Sequence, residues 1–202
     1  MYFDSHAHLD DPRFDADREE IFAVLAQQGP VMNVGCDLPS SEASVALAHK
    51  YSFVYAAVGS HPDDAANVDG RLLDAYRRLC ADARVRAIGE IGLDYHYEDV
   101  PRAQQIIAFE QQLELAEALG LPVIVHEREA HGDAMDILRR HPDVRGVFHC
   151  FSGSKEMALW LVERGWYIGF TGVLTFKNAR RAVEAAQALP LDRILIETDC
   201  PY

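Results

Sequence analysis

The segment PRAQQIIAFEQQLELAEALGLPVIVH, from Pro101 to His126, holds one complete helix-to-strand unit. Proline needs no N–H partner at the first position of a helix, and glycine accepts the left-handed conformation that ends one, so Pro101 and Gly120 mark the two ends of a helix over Arg102–Leu119. Between them Ile106, Phe109, Leu113 and Ala116 form one apolar stripe. The run Pro122–His126 that follows is short and apolar, reads as a strand, and closes on a histidine.

The same unit recurs on either side. Apolar runs at Tyr2–His8, Val31–Cys36, Phe53–Gly59, Arg86–Ile91, Gly146–His149, Trp166–Thr171 and Arg193–Asp199 bring the number of expected strands to eight. Helical patterns separate most of them. Ser154 suits an N-cap for Lys155–Arg164, which Gly165 stops; Lys177–Ala188 is alanine-rich and ends before Pro190; Leu72, Tyr76 and Leu79 mark another helix. Eight strands alternating with helices predict an α/β fold with a parallel sheet, closed as a (β/α)8 TIM barrel. No glycine-rich phosphate-binding turn follows the first run, which argues against an open dinucleotide-binding sheet.

One barrel domain is expected over residues 1–202, yet such barrels typically take about 250 residues. The last run reaches Cys200-Pro201-Tyr202 with no helical pattern behind it. The expectation is therefore a barrel without its closing C-terminal helical segment. Phe3, Ile194 and Ile196 should then form an exposed apolar patch, leaving the fold marginal or prone to self-association through that face.

Composition sets outer limits. Apolar residues make up 49% of the chain, too many for a disordered polymer, and no apolar run is long enough for a membrane span. The N-terminus lacks the basic and apolar regions of a secretory signal, and Cys36, Cys80, Cys150 and Cys200 lack metal-ribbon spacing, so a cytoplasmic protein with cysteines as buried small hydrophobes is expected. The 32 acidic and 19 basic residues give a net charge of −13, which disfavours a sequence-independent grip on long duplex DNA.

Metal-capable side chains stand at the C-terminal ends of the expected strands, where barrel active sites lie. These are His6, His8, Glu90, His126, His149 and Asp199. Side chains alternate along a strand, so His6 and His8 point the same way. If His126 faces the axis, so does Ile124, with Val123 and Val125 outward; if Asp199 does, so do Glu197 and Leu195, with Ile194 and Ile196 outward. Four imidazoles and two carboxylates are too many donors for one tetrahedral ion, and they suit zinc, manganese, iron or nickel better than magnesium. Two divalent ions, taken among Mg, Mn and Zn, are therefore expected. Such a pair stabilises the attacking and leaving oxygens of a phosphodiester displacement, with Asp199 placed to take the proton of the attacking water.

The segments Phe3-Asp4-Ser5-His6-Ala7-His8-Leu9, Gly59-Ser60-His61-Pro62, Gly89-Glu90-Ile91-Gly92-Leu93-Asp94-Tyr95, Val125-His126-Glu127-Arg128, His149-Cys150-Phe151-Ser152-Gly153 and Glu197-Thr198-Asp199-Cys200-Pro201-Tyr202 together resemble the TatD-type metal-dependent deoxyribonucleases of the amidohydrolase superfamily. The resemblance implies that His6, His8 and Asp199 hold one metal, that His126 and His149 hold a second, and that Glu90 bridges them. It also implies a hydrolase, a 3′→5′ exodeoxyribonuclease acting on DNA ends, with Glu90 and Asp199 as catalytic residues.

His61, near the mouth, and Arg128, two residues past His126, are the expected substrate contacts. Asp94 is expected to support the ligands from behind, whereas His49, His96, His131 and His141 are expected in loops or solvent. Lys155, Lys177, Arg180 and Arg181 read as surface charges that could also form a basic rim. Two ions at the mouth would offset the net negative charge locally, favouring a single strand or short oligonucleotide as partner. Two other readings use the same residues. One is an ester hydrolase such as a D-aminoacyl-tRNA deacylase; the other is a truncated, non-catalytic metal-binding remnant.

Overall fold

A computed structural model describes residues 2–97 and 99–202. Its strands are β1 (Asp4–Ala7), β2 (Val31–Val34), β3 (Val54–Val58), β4 (Val85–Asp94), β5 (Val123–Arg128), β6 (Gly146–Phe148), β7 (Tyr167–Phe170) and β8 (Ile194–Ile196). Helices α1 (Arg18–Gln28), α2 (Leu38–Lys50), α3 (Gly70–Leu79), α4 (Arg102–Leu119), α5 (His131–Arg140), α6 (Lys155–Glu163) and α7 (Arg180–Ala188) alternate with them. The strands pair in sequence order and all in parallel, giving one eight-stranded sheet. The sheet curls into a nearly closed TIM barrel. No ladder joins β8 to β1 among the described residues; instead the Asp199 N–H donates to the His6 carbonyl at 2.9 Å and the His8 N–H to the Cys200 carbonyl at 2.8 Å. No described helix is long and apolar enough to cross a membrane.

The alternation predicted from sequence holds on both sides of the sheet. Val34, Ala57, Ala87, Ile124 and Val147 fill the barrel, with Leu195 packed against them. Val54, Val58, Val123, Val125, Phe148 and Ile168 belong to the larger cluster between strands and helices. Helix α4 has the expected bounds, with Gly120 left-handed at φ 65°. Helix α7 starts three residues later than expected, because Gly172–Thr175 forms a separate 3-10 turn ahead of it.

Two expectations about side-chain surroundings need correction. Ile194 is half-buried and packs on the outer cluster, so the exposed patch consists of Tyr2, Phe3 and Ile196, beside a groove of about 210 Å³ against α1. The four cysteines are free and only partly buried; Cys80 and Cys200 pack against the outer core as small hydrophobes, whereas Cys36 and Cys150 do not.

Close approach of β5 and β6 rests on Gly146, where an added Cβ would lie 1.9 Å from the Val123 carbonyl oxygen. Backbone cannot give way as a side-chain tip can, so overpacking here costs at least the usual 1–3 kcal/mol, roughly. Gly146→Ala should therefore lower the urea midpoint at unchanged slope. A midpoint equal to wild type would mean that β5 and β6 can separate without loss.

Candidate metal centre

Glu90 lies in β4 at the C-terminal mouth and is 3% exposed. Burial alone would raise the pKa of its carboxyl group. The His149 and His6 charges, with hydrogen bonds from His126 and His149, outweigh that and hold it well below the usual range. Its Oε1 is 2.7 Å from His149 Nε2 and 2.9 Å from His126 Nδ1. Its Oε2 is 3.3 Å from His6 Nε2 and 3.7 Å from His8 Nε2. Asp199 Oδ1 stands 3.7 Å from His6 Nε2 and 3.6 Å from His8 Nε2. All six residues nominated as ligands thus converge on one point.

The hydrogen bonds behind the rings determine which nitrogen faces inward. His8 Nδ1 is 2.8 Å from the Val34 carbonyl oxygen, which can only accept, so the neutral ring keeps a lone pair on Nε2. His126 Nε2 is 3.0 Å from Asp94 Oδ2, so a neutral ring protonated on that side would turn a lone pair on Nδ1 inward in place of its hydrogen bond to Glu90, and Asp94 has the supporting place expected of it. The His6 and His8 Nε2 atoms face each other at 3.1 Å, and His126 Nδ1 faces His149 Nε2 at 3.2 Å. Converging imidazole nitrogens with carboxylates between them form a donor set that suits a borderline cation. Three overlapping triads are compact enough to hold one: His6 with His8 and Glu90, His6 with His149 and Asp199, and Glu90 with His61 and His126. The second and third differ from the expected division, in which His126 and His149 formed a pair of their own.

Burial lowers the His6 pKa to about 4, helped by the neighbouring His149. At His8 burial acts the same way, but contacts with Asp199 and Cys36 push the pKa up to about 12. Burial opposes the carboxylates at His126 too, and Asp94 and Glu90 raise it to about 10.

His61 is set differently. Its Nδ1 accepts the Asp63 backbone N–H at 3.2 Å; Asp63 Oδ2 is farther from the same atom, at 3.4 Å. The proton of the neutral ring therefore sits on Nε2, which faces Glu90 at 3.9 Å. This tautomer, assigned from its hydrogen-bond partners, makes His61 a donor toward the mouth rather than a lone-pair ligand. Arg128 lines the mouth and stacks 5.3 Å from the Tyr97 ring centroid. Its neighbouring acids are engaged elsewhere: Glu127 with His131, and Glu129 with His96 at 2.9 Å. His141 is expected in solvent, yet its side chain is only 10% exposed, with Nδ1 3.8 Å from Glu117 Oε2.

Several positioning groups escaped the sequence reading. Gln105 and Gln112 lie on the buried face of α4. Gln112 accepts the Ser60 N–H at 2.8 Å and donates to its carbonyl at 3.0 Å. Gln105 does the same for Asp94, at 2.8 and 2.9 Å. Gln112 thus fixes the backbone next to His61, and Gln105 fixes that of Asp94, which in turn holds His126. Their signal was present: Gln105, Phe109, Gln112 and Ala116 share one helical face, where a polar residue needs a partner.

Glu197 is another. It accepts from Ser5 Oγ at 3.0 Å and from the Cys150 N–H at 2.5 Å, and its Oε1 lies 3.8 Å from His149 Nδ1. Burial raises its pKa, against the opposing effects of His149 and the Cys150 N–H. An added Cβ on Gly169 would meet Glu197 Oε2 at 2.5 Å, so the glycine leaves the carboxylate its room. Cys36, expected as a core filler, instead lines the mouth, its Sγ 3.7 Å from His8 Nδ1.

Comparison with known proteins agrees with this geometry. The family described as TatD related DNase matches residues 3–202. An uncharacterized metal-dependent hydrolase of Bacillus subtilis is 40% identical over 206 residues, covering 100% of this chain and 81% of its own. A 3′-5′ ssDNA/RNA exonuclease TatD of Cronobacter turicensis is 36% identical over 207 residues, covering 99% and 78%. The crystal structure of a TatD homologue from Escherichia coli superposes with a TM-score of 0.91 at 33% identity, covering 99% and 79%.

Adding Mn²⁺ or Zn²⁺ should stabilise the fold, by roughly 2.7 kcal/mol at 100 times the dissociation constant. Glu90→Gln keeps the shape and removes the charge, so it should abolish most of the metal-induced rise in melting temperature. An equal rise in both proteins would place the ions elsewhere.

Proposed function

The chain belongs to the TatD-related DNase family of metal-dependent hydrolases, and from that premise we propose that it is a 3′→5′ exonuclease on single-stranded DNA ends. The observation that carries this reading is the Glu90-centred donor cluster at the floor of two open clefts, of about 520 and 690 Å³. They meet at His126, His149, Arg128 and Asp199. A strand end can enter from one side with its scissile phosphate over the cluster. Relatives named as 3′-5′ ssDNA/RNA exonucleases support the substrate class.

In this reading His6, His8, Glu90, His126, His149 and Asp199 hold two divalent ions, which supply Lewis acidity to the phosphoryl oxygens. The residues of the chain do the rest. Asp199 holds its carboxylate beside His6 and His8 and takes the proton of the attacking water. Its pKa is lowered despite burial, mainly by the hydrogen bond with His8, so it is ionised and ready to accept. His61 donates from Nε2 to a non-bridging phosphate oxygen, and Arg128 presents its guanidinium to a neighbouring one.

A 5′-labelled single strand incubated with Mn²⁺ or Mg²⁺ should shorten stepwise from its 3′ end. Glu90→Ala and Asp199→Ala should each slow this by orders of magnitude. An intact strand, with an aminoacyl ester cleaved under the same conditions, would overturn the reading. His61→Ala should weaken use of the strand while leaving metal stoichiometry by calorimetry unchanged; loss of one bound ion would make His61 a ligand instead.

A further inference from the structure

The larger cleft has a wall that the ligand cluster does not explain. Phe176 is 60% exposed and Val173 45% exposed, and both line it. Arg128, Arg180 and Arg181 line the same cleft. Arg180 is paired with Glu184 at 2.8 Å, whereas no carboxylate pairs with Arg181 among the described residues.

The loop that carries Phe176 is held firmly. Thr171 Oγ1 accepts the Val173 N–H at 3.2 Å, the Phe176 N–H donates to the Val173 carbonyl at 3.0 Å, and the Ala179 N–H donates to the Phe176 carbonyl at 3.0 Å. Leu174 anchors the turn by packing on the outer core. The turn thus has an apolar anchor of its own and does not need Phe176 for one. Bonds on both sides of the residue nevertheless fix its backbone while its ring faces water.

The smaller cleft shares Arg128 at the junction but is otherwise walled by Asp37, Asp63, Asp64 and Asp94, with no further arginine or lysine among the described residues. In a chain of net charge −13, the arginine-lined side is therefore the one that complements a polyanion. An exposed ring and an unpaired guanidinium lining one cleft can take a nucleobase on the ring face and a phosphate at the guanidinium, without regard to sequence.

We propose that Phe176 and Arg181 form a subsite for the retained strand of a single-stranded nucleic acid, a base stacking on Phe176 and a phosphate meeting Arg181. This rests on the nuclease reading of the adjoining centre. It assigns the strand a direction: the part that remains after cleavage lies along β7 and α7, and the terminal residue lies toward β3 and β4.

Anisotropy of a fluorescein-labelled, hydrolysis-resistant phosphorothioate single strand, with Mn²⁺ present, tests the subsite. Phe176→Ala should weaken binding roughly tenfold, and Phe176→Trp should restore it. An abasic strand of the same length should bind wild type and Phe176→Ala alike. Arg181→Ala should weaken every strand and reduce the salt dependence by about one phosphate contact. Equal binding of the ordinary strand by wild type and Phe176→Ala, or an equal loss with the abasic strand, overturns the subsite.

Turnover of an unmodified strand, measured in parallel, separates the two readings. Phe176-dependent binding without shortening keeps the subsite and removes the reaction. Shortening with Phe176-independent binding keeps the reaction and removes the subsite.

Discussion

A carboxylate that is 3% exposed has to keep its charge, and Glu90 keeps it by standing within 4 Å of five imidazoles. Removing one partner from such a group leaves an uncompensated buried charge, which typically costs about 3–5 kcal/mol. The imidazoles come from β1 and the residue just past it, from the loops after β3 and β6, and from β5. Curling the sheet is what brings these distant segments to one point. Asp199 completes the group from beyond β8, and there the barrel is joined by single bonds rather than by a ladder. Asp4 clamps Thr198, taking its N–H at 3.0 Å and its hydroxyl at 2.7 Å. With the Asp199 N–H on the His6 carbonyl, this fixes the Asp199 segment directly to the strand that ends beside His6 and His8.

A set of buried amides and acids does the aligning. Asn33, fully buried in β2, accepts the Leu9 N–H at 2.5 Å and donates to Ser44 at 2.7 Å, which fixes the chain just past His8. Gln105 and Gln112 perform the same task from α4, and Glu197 from β8's end. Each satisfies backbone groups where strands break into loops and the ladder no longer can. The price of a loosely held donor would be a centre with the right residues at the wrong separations.

The sequence makes much of this legible, for physical reasons that can be named. Strand alternation has a period of two, so placing His126 inward commits Ile124 inward and Val125 outward, as found. Helix α4 announces itself through its stripe and its ends. What escapes is whatever depends on the meeting of two distant segments. Nothing near Gln112 in the chain points to Ser60, and nothing near Cys36 points to His8. Ile194 was expected in the open because the pattern shows which face it occupies but not what covers it. Which donors stand close enough to share a cation is similarly a matter of distances, and the compact triads overlap at Glu90 and His6 rather than falling into separate sets.

Charge is distributed to match these roles. The acids beside the smaller cleft are largely committed to structure: Asp37 caps α2, Asp64 accepts from Ser60 Oγ at 3.0 Å, and Asp94 holds His126. Their negative charge accompanies the fixing of loops and imidazoles, since a carboxylate can both cap a helix and accept the N–H of an imidazole. The cations by the larger cleft have few such duties. The electrostatic potential at the mouth therefore rises from an acidic wall, past the donor cluster, to a basic wall. A polyanion near a low-dielectric cleft of that kind is oriented as well as attracted.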